Sequence, residues 1–150
     1  MNFFEKWKFG KLLKNLTISK IDTLSGVEFE EFICDFFNYL GYKASTTSLT
    51  GDNGIDILAK SKDNSIGIQT KLYYNHSVGN KAIQEVFSGK NYYKLSHAIA
   101  CTNWKFSAPA IDLASELKVA LIDRQTLIKI LNNNRQQNIR LIEEILDKTL

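Results

Sequence analysis

Residues 54–71, GIDILAKSKDNSIGIQTK, contain two runs in which apolar and polar residues alternate, separated by a polar segment. Alternation with a period of two is typical of strands that bury one face. The pattern predicts two antiparallel strands, about 55–61 and 66–72, joined by a tight turn at 63–64. This hairpin constrains the fold more than any other segment because it requires a sheet with a buried side.

The two faces of the hairpin follow from the expected pairing. A turn centred between residues 63 and 64 places Asp56 opposite Lys71, and Leu58 opposite Gln69. Cross-strand partners share a face of the sheet. We therefore expect a polar face of Asp56, Leu58, Lys60, Gly67, Gln69 and Lys71, and a core face of Ile55, Ile57, Ala59, Ile66, Ile68 and Thr70.

The remaining elements follow from periodicity and capping residues. Ser25 with Glu28 forms a capping box and Gly41 is a natural stop, so residues 26–40 are predicted to be a helix. On a helical wheel three of its acids lie opposite the apolar stripe, whereas Glu30 lies at the edge of that stripe. The other predicted elements are strand 43–49, helix 78–94, strand 97–102, helix 107–117, strand 118–123 and helices 124–132 and 135–148.

This order of elements predicts an α/β fold in which a mixed β-sheet is flanked by helices on both faces. At 150 residues, with 44% hydrophobic and 23% charged residues, one globular domain is expected. No stretch approaches the roughly 20 apolar residues of a membrane span, so we expect a cytoplasmic protein. Cys34 and Cys101 have no cysteine or histidine at ligand spacing, which favours buried reduced thiols over a zinc site.

The basic charge of the chain is concentrated at its start. Residues 1–20 hold five lysines and one glutamate, although the whole chain has a formal charge of only +3. We divide the chain into a basic aromatic extension (1–21), a main domain (22–132) and a C-terminal helix (133–150). The extension either docks on a partner, DNA or an acidic membrane surface, or packs on the domain as an ordinary helix.

The polar face of the hairpin is either a solvated sheet surface or a site. Helices on both faces of the sheet would cover it, and a buried Asp and Lys are costly unless they are paired or bind something. A carboxylate and an amide oxygen are hard ligands that suit Mg²⁺. Asp56 and Gln69 could therefore support metal-assisted phosphodiester hydrolysis, with Lys71 stabilising charge and Glu30 completing the ligand shell.

Several segments together resemble a known family. The spacing from Asp56 to Gln69-Thr70-Lys71 is similar to the PD-(D/E)XK nuclease superfamily, and more narrowly to the catalytic domain of Mrr-type restriction endonucleases. The similarity covers about residues 22–131, with Asn53 departing from the family pattern. The matching blocks, in order, are GVEFEEFICDFFNYLGY, GDNGIDI, IQTK, SVGNKAIQEVFSGK, CTNWKFSAPAIDLA and VALIDRQTLIKIL.

The resemblance implies a role for each matching position. Asp56 would be the principal metal ligand, Gln69 and the backbone carbonyl of Thr70 further ligands, Lys71 the catalytic lysine and Glu30 an accessory acid. The implied cofactor is Mg²⁺, with Mn²⁺ as a substitute. Asp52 matches an acidic position that either contributes to the site or shapes its loop, and Gln84 either faces the metal or is solvated.

Other polar side chains suit contacts with DNA phosphates. Lys81, Lys90 and Lys94 fall on one predicted helix, and His76 follows the catalytic strand; a solvated helix face and an ordinary loop histidine explain them equally well. Three aromatic residues either stack against DNA or pack at the rim of the core; these are Tyr73, Tyr74 and Trp104.

The leading hypothesis is a Mg²⁺-dependent DNA endonuclease in restriction, defence or DNA processing. Because cutting a duplex takes two cleavages, a homodimer is expected, with the helix at 135–148 as a contact surface. The alternative is a catalytically inactive nuclease-like module that binds DNA or a protein partner. A third hypothesis is a membrane- or complex-associated subunit docked through residues 1–20.

Overall fold

The computed structural model describes residues 1–47 and 53–150, and the predicted elements occur in the predicted order. Asp52 and the end of the first predicted strand lie outside the described residues. The helices are α1 (Phe3–Asn15), α2 (Ile18–Ile21), α3 (Gly26–Leu40), α4 (Asn80–Tyr92), α5 (Ala108–Leu117), α6 (Arg124–Asn132) and α7 (Arg135–Asp147). The strands are β1 (Lys43–Thr46), β2 (Ile57–Lys60), β3 (Ser65–Lys71), β4 (His97–Thr102) and β5 (Ala120–Ile122).

The five strands form one mixed sheet in the order β1-β2-β3-β4-β5. The first three strands are antiparallel, and β3, β4 and β5 are parallel to one another. Helices α3, α6 and α7 cover one face and α4 and α5 cover the other, each over its own hydrophobic cluster. The prediction of an α/β mixed sheet with helices on both faces is confirmed.

Helix α3 carries the capping box that its sequence predicted. The Ser25 side chain accepts from the Glu28 N–H, the Glu28 carboxylate accepts from the Ser25 N–H, and Gly41 ends the helix with φ of 109°. Its aromatic stripe is buried against β1, β2 and β3. Glu28 is exposed, as are the other two acids predicted to face water, whereas Glu30 is half-buried. The helical wheel therefore placed Glu30 correctly at the boundary of the core.

The predicted register of the hairpin is wrong by two residues. Ile57 pairs with Ile68, and Lys60 with Ser65, so the turn is centred between residues 62 and 63. Ser61 sets this turn because its N–H donates to the Asn64 carbonyl (2.8 Å) while its hydroxyl accepts from the Asn64 N–H (3.0 Å). A slip of two residues leaves each side chain within the strands on its predicted face.

The prediction that Ile55 belongs to the core face beside Ile57 is also wrong. The Asp56 N–H donates to the carbonyl of Ile68, the residue that already pairs with Ile57. Because β2 begins at Ile57, Ile55 and Asp56 lie outside the regular ladder, and the alternation does not extend to them. Ile55 consequently packs in the cluster under α4, not in the cluster under α3.

The two terminal helices pack on the α3 side of the sheet. In α1, Phe9 lies 5.9 Å from Phe32 and 5.2 Å from Tyr39 between ring centroids, while Phe3 is 86% exposed. In α7, Ile142 and Leu146 are buried in the same cluster. Docking through residues 1–20 and dimerisation through α7 stay predictions. Within residues 1–47 and 53–150, no helix is long and apolar enough to cross a membrane.

Both cysteines are buried and neither forms a disulfide, as predicted. Burial, with the negative charges of neighbouring acids, raises the pKa of the Cys34 thiol to about 11. Burial, with the charge of Asp123, raises the pKa of Cys101 as well. Both thiols are therefore held in their protonated, unreactive form at neutral pH.

Asp22, Asn103 and Arg124 form a polar cluster at the end of β3. The sequence did not predict it. The Asp22 carboxylate accepts from Arg124 Nη1 and Nη2 at 2.8 and 2.9 Å, and from Asn103 Nδ2 at 3.0 Å. Asn103 is fully buried, and its amide bonds to both the N–H and the carbonyl of Tyr73. This cluster ties the segment after α2 to the ends of β3 and β4 and to the start of α6.

The cluster predicts a pH-dependent stability. Burial opposes ionisation of Asp22, but hydrogen bonds from Arg124 and Asn103 and the Arg124 charge outweigh it, so the pKa lies below 3.8. A carboxyl whose pKa is lowered by folding stabilises fully above its unfolded pKa and loses that contribution as pH falls through the folded pKa. Asp22→Asn should cost about 2 kcal/mol of unfolding free energy near pH 7, and this cost should shrink toward about pH 3.

Urea denaturation at both pH values measures the difference, with Asp63→Asn in the exposed hairpin turn as the matched control. A cost for Asp22→Asn that is the same at both pH values would contradict the assignment.

Candidate active site

Asp56 contacts Thr70, which lies near the end of β3 between Gln69 and Lys71. Asp56 Oδ2 accepts from the Thr70 N–H at 2.8 Å and from its hydroxyl at 3.3 Å. Gln69 and Lys71 flank Thr70 in the strand. The acid does not lie opposite Lys71 as the predicted register had it. It reaches β3 from the segment just before β2, where its own N–H donates to the Ile68 carbonyl.

The loop that carries Asp56 is held tightly against α4. Gly54 has φ of 78°, and a Cβ there would come within 2.0 Å of the Glu85 carbonyl oxygen. A Cβ on Gly89 would come within 2.3 Å of the Asn53 carbonyl oxygen. Only glycine allows both the left-handed backbone and this close approach. The loop that precedes Asp56 is therefore held by direct backbone contact with α4.

Gln69 projects from β3 toward α4 and is only 6% exposed. Its Nε2 donates to Glu85 Oε2 at 2.8 Å. Its Oε1 is buried and has no hydrogen-bond partner within the described residues. A buried acceptor left without a partner costs about 1–3 kcal/mol, so this oxygen is a position where a ligand would be stabilising.

Glu30 approaches the site from α3. Burial, the negative charge of Asp56 and that of Glu31 together raise its pKa. The negative charge of Asp56 thus disfavours ionisation of Glu30. A cation between these two carboxylates would relieve this effect.

Lys71 is half-buried and lies opposite Thr102 of β4. Strand alternation puts its side chain on the same side as that of Gln69. Among residues 1–47 and 53–150 it forms no ion pair, so its ammonium is available to an anionic ligand.

These residues fit a hard divalent cation. In an extended strand the carbonyl and N–H of one residue point the same way, so the Thr70 carbonyl points to the side on which its N–H meets Asp56. The oxygens predicted to hold Mg²⁺ are those of Asp56, Gln69, Thr70 and Glu30, and of these residues the structure shows Asp56 in contact with Thr70. Within the described residues no group of three or more His, Cys, Asp or Glu could hold a metal. An amide and a backbone carbonyl would replace the third acid.

Comparison with known families decides the classification. The Mrr catalytic-domain model, described as restriction endonuclease, matches residues 21–131. The chain belongs to the Mrr restriction endonuclease family. A search of curated proteins gives no matching sequence.

Solved structures agree with this family's fold. The protein of unknown function AF1548 has a TM-score of 0.56 at 17% identity, over 79% of this chain and 77% of the other. The DNA modification-dependent restriction endonuclease AspBHI has a TM-score of 0.59 at 14% identity and covers 99% of this chain. MspJI, solved in complex with a 27-mer oligonucleotide, aligns with 18% identity over 95% of this chain and a TM-score of 0.47.

The chain spans 40% of the AspBHI chain and 34% of the MspJI chain. At these identities, the likeness to AF1548 and AspBHI shows a shared fold.

The residues predicted to bind DNA are scattered in this Mrr-family domain. Lys81 is exposed at the start of α4 and Lys90 is half-buried near its end. The prediction that Lys94 lies on the same helix is wrong, since α4 ends at Tyr92 and Lys94 has φ of 55°. The chain must reverse there because β4 begins at His97 and runs beside β3.

The aromatic residues after β3 and β4 are occupied by contacts within the protein. His76 Nδ1 lies 2.8 Å from the Tyr74 carbonyl oxygen, and its ring lies 4.1 Å from that of Tyr73. The Tyr74 hydroxyl donates to the Asp22 carbonyl, and Arg124 lies 5.2 Å from the centre of the Trp104 ring. DNA contacts by these residues stay predictions.

Sequence reasoning chose Gln84 on α4 and missed its neighbour Glu85. Gln84 is exposed and lines a shallow cavity of about 410 Å³, together with Lys81 and Gly54. Glu85 is half-buried and bonds to Gln69. The sequence does indicate this position, because Glu85 lies beside Ala82, Val86 and Gly89 at helical spacing, on the buried side of α4. The same reasoning that placed Glu30 at a stripe edge would have found it.

Proposed function

We propose that the chain is a divalent-metal-dependent DNA endonuclease that hydrolyses phosphodiester bonds in restriction, defence or DNA processing. The observation that carries this proposal is the buried Gln69 Oε1, which has no hydrogen-bond partner in the described part of the chain, next to Thr70, whose N–H donates to Asp56. Membership of the Mrr family and the name of its structural neighbour AspBHI, a DNA modification-dependent restriction endonuclease, support DNA as the substrate.

Each residue would have a distinct part in the reaction. Asp56, Gln69 and the Thr70 carbonyl would hold Mg²⁺ or Mn²⁺, with Glu30 as an outer acid. The cation would supply Lewis-acid chemistry, lowering the pKa of a water molecule and offsetting the charge of the phosphate. Lys71 would donate a hydrogen bond to the scissile phosphate and stabilise the negative charge that develops during attack. The hydrogen bond from Thr70 to Asp56 orients the carboxylate before any ligand arrives.

The test is to incubate the full chain with supercoiled plasmid and Mg²⁺ or Mn²⁺, beside a reaction that contains EDTA. We expect nicked and linear products only with the free divalent ion. Cleavage that continues in EDTA would contradict the proposal. Substrates carrying modified bases should be included, because the structural neighbour AspBHI is described as modification-dependent.

A DNA-binding module that does not cut is the second candidate. It is favoured by the amide at position 69 in place of an acid and by the lack of a three-acid cluster among the described residues. Metal titration separates the two candidates. If DNA binds while no divalent ion binds at about millimolar concentration, the non-cutting module is correct. The homodimer and the cytoplasmic location stay predictions in either case.

A further inference from the structure

Glu85 is the direct hydrogen-bond partner of Gln69, and the metal site described above does not use it. Its Oε2 accepts from Gln69 Nε2 at 2.8 Å, and its side chain is 33% exposed. A hydrogen bond to an ionised carboxylate is about twice as strong as one between neutral groups. Glu85 therefore holds the Gln69 amide more firmly than a neutral partner would.

The contact determines which end of the amide is free. A glutamine amide can turn over, exchanging its oxygen and its NH₂ group. An ionised carboxylate can only accept, so it selects the orientation in which the NH₂ faces α4. The amide oxygen then points away from Glu85, and it is this atom that is buried without a partner in the described structure.

The contact also changes the charge of that oxygen. Donation from an amide N–H to a carboxylate draws electron density toward the amide oxygen, because the two are joined by resonance. Carboxylates that accept hydrogen bonds from metal-ligating side chains raise the basicity of the ligand in the same manner. The oxygen of Gln69 thereby gains part of the negative charge that a carboxylate would have.

The backbone of Glu85 is tied to the other half of the site. Its carbonyl oxygen lies against Gly54, where a Cβ would come within 2.0 Å. Gly54 precedes Asp56 by two residues. One residue of α4 thus contacts both the loop that carries Asp56 and the side chain of Gln69.

The competing partner of Glu85 is weak. Lys81 Nζ lies 3.7 Å from Glu85 Oε1, and the Lys81 side chain is 89% exposed. An exposed i,i+4 pair of this kind contributes little. The orientation of Glu85 therefore depends on Gln69 more than on Lys81.

We propose that Glu85 is a positioning residue that makes Gln69 an effective metal ligand, by orienting its amide oxygen and increasing the negative charge on it. Position 69 has an amide in place of an acid, but the Glu85 carboxylate on α4 is hydrogen-bonded to that amide. The inference rests on the proposed metal site and specifies how that site works with an amide in place of an acid.

The test measures Mn²⁺ binding to the full chain by calorimetry, without DNA. Glu85→Gln keeps the shape and an accepting oxygen but removes the charge, and it should weaken Mn²⁺ binding about 10- to 100-fold. Glu116→Gln, which makes the same chemical change at an exposed position of α5, should leave the affinity unchanged. Thermal unfolding of each variant shows whether the fold is intact.

The same Glu85→Gln change in a Gln69→Glu protein distinguishes a positioning role of Glu85 from simple packing. Gln69→Glu supplies a carboxylate directly, and Glu85 then opposes it as a like charge. In that background Glu85→Gln should leave Mn²⁺ affinity unchanged or increase it. The loss of Mn²⁺ affinity should therefore disappear or reverse in this background, which a packing role does not predict.

The outcomes are distinguishable. Wild-type binding with no loss in Glu85→Gln would overturn this inference alone, as would an equal loss in both backgrounds. Failure of the wild type to bind Mn²⁺ would overturn the proposed metal site, and this inference with it.

Discussion

Replacing Asp56 by Asn should reduce DNA cleavage by about a thousandfold or more, equivalent to about 4 kcal/mol of transition-state stabilisation. The amide can still accept from the Thr70 N–H, which Asp56 Oδ2 bonds at 2.8 Å, so the local structure should be kept. What the variant loses is the negative charge that a divalent cation requires from its principal ligand. We therefore expect Mn²⁺ binding to be lost together with cleavage.

Plasmid nicking rates and calorimetric Mn²⁺ titration measure these two effects on the same samples. Asp63→Asn is the matched control, because it makes the same chemical change at an exposed position of the same hairpin. It should cleave and bind metal as the wild type does. An Asp56→Asn protein that cleaves within about tenfold of wild type would exclude Asp56 as the principal ligand.

Replacing Lys71 by Met should slow cleavage by about 10²- to 10³-fold while leaving metal binding intact. The side chain is half-buried beside Gln69, so methionine can occupy its space without a charge. The lysine is proposed to act on the phosphate and not on the cation. Lys71→Met should therefore keep metal binding, whereas Asp56→Asn should lose it. Removing a neighbouring positive charge should, if anything, make cation binding slightly stronger.

Lys60→Met provides the control, since Lys60 is an exposed lysine at the end of β2 in the same hairpin. Its cleavage rate should be close to that of the wild type. If Lys71→Met loses metal binding, the lysine has a structural part in the site. If it cleaves at the wild-type rate, the catalytic assignment is wrong.

The helices and strands could be predicted because capping residues and hydrophobic periodicity act locally and agree with the tertiary structure. The capping box of Ser25 and Glu28, with Gly41 as the stop, defined α3 before any contact was known. The hairpin shows how far such rules extend. Although the predicted register was wrong, the side chains within the strands were assigned to the correct faces, because a slip of two residues preserves a period of two.

Other features depended on contacts between segments that are distant in sequence. Asp56 lies outside the ladder of β2 and β3, and the loop before it packs against α4, where Gly54 lies close to the Glu85 backbone. No periodicity within residues 54–60 encodes that contact. The bonds from Arg124 to Asp22 likewise join residues that only the assembled sheet brings together.

The sequence by itself determined the order of the elements, the mixed sheet and the family, because each depends on local periodicity or on motifs read along the chain. Tertiary structure alone decided how the candidate site is assembled: Asp56 bonds to Thr70, and Gln69 bonds to Glu85 on a separate helix. The physical reason is that hydrogen-bond partners of a buried polar group are chosen by which segments pack together. From the sequence, the amide at position 69 indicates only that a metal-binding acid is missing. Its carboxylate partner Glu85 is brought to it by the packing of α4 on β3.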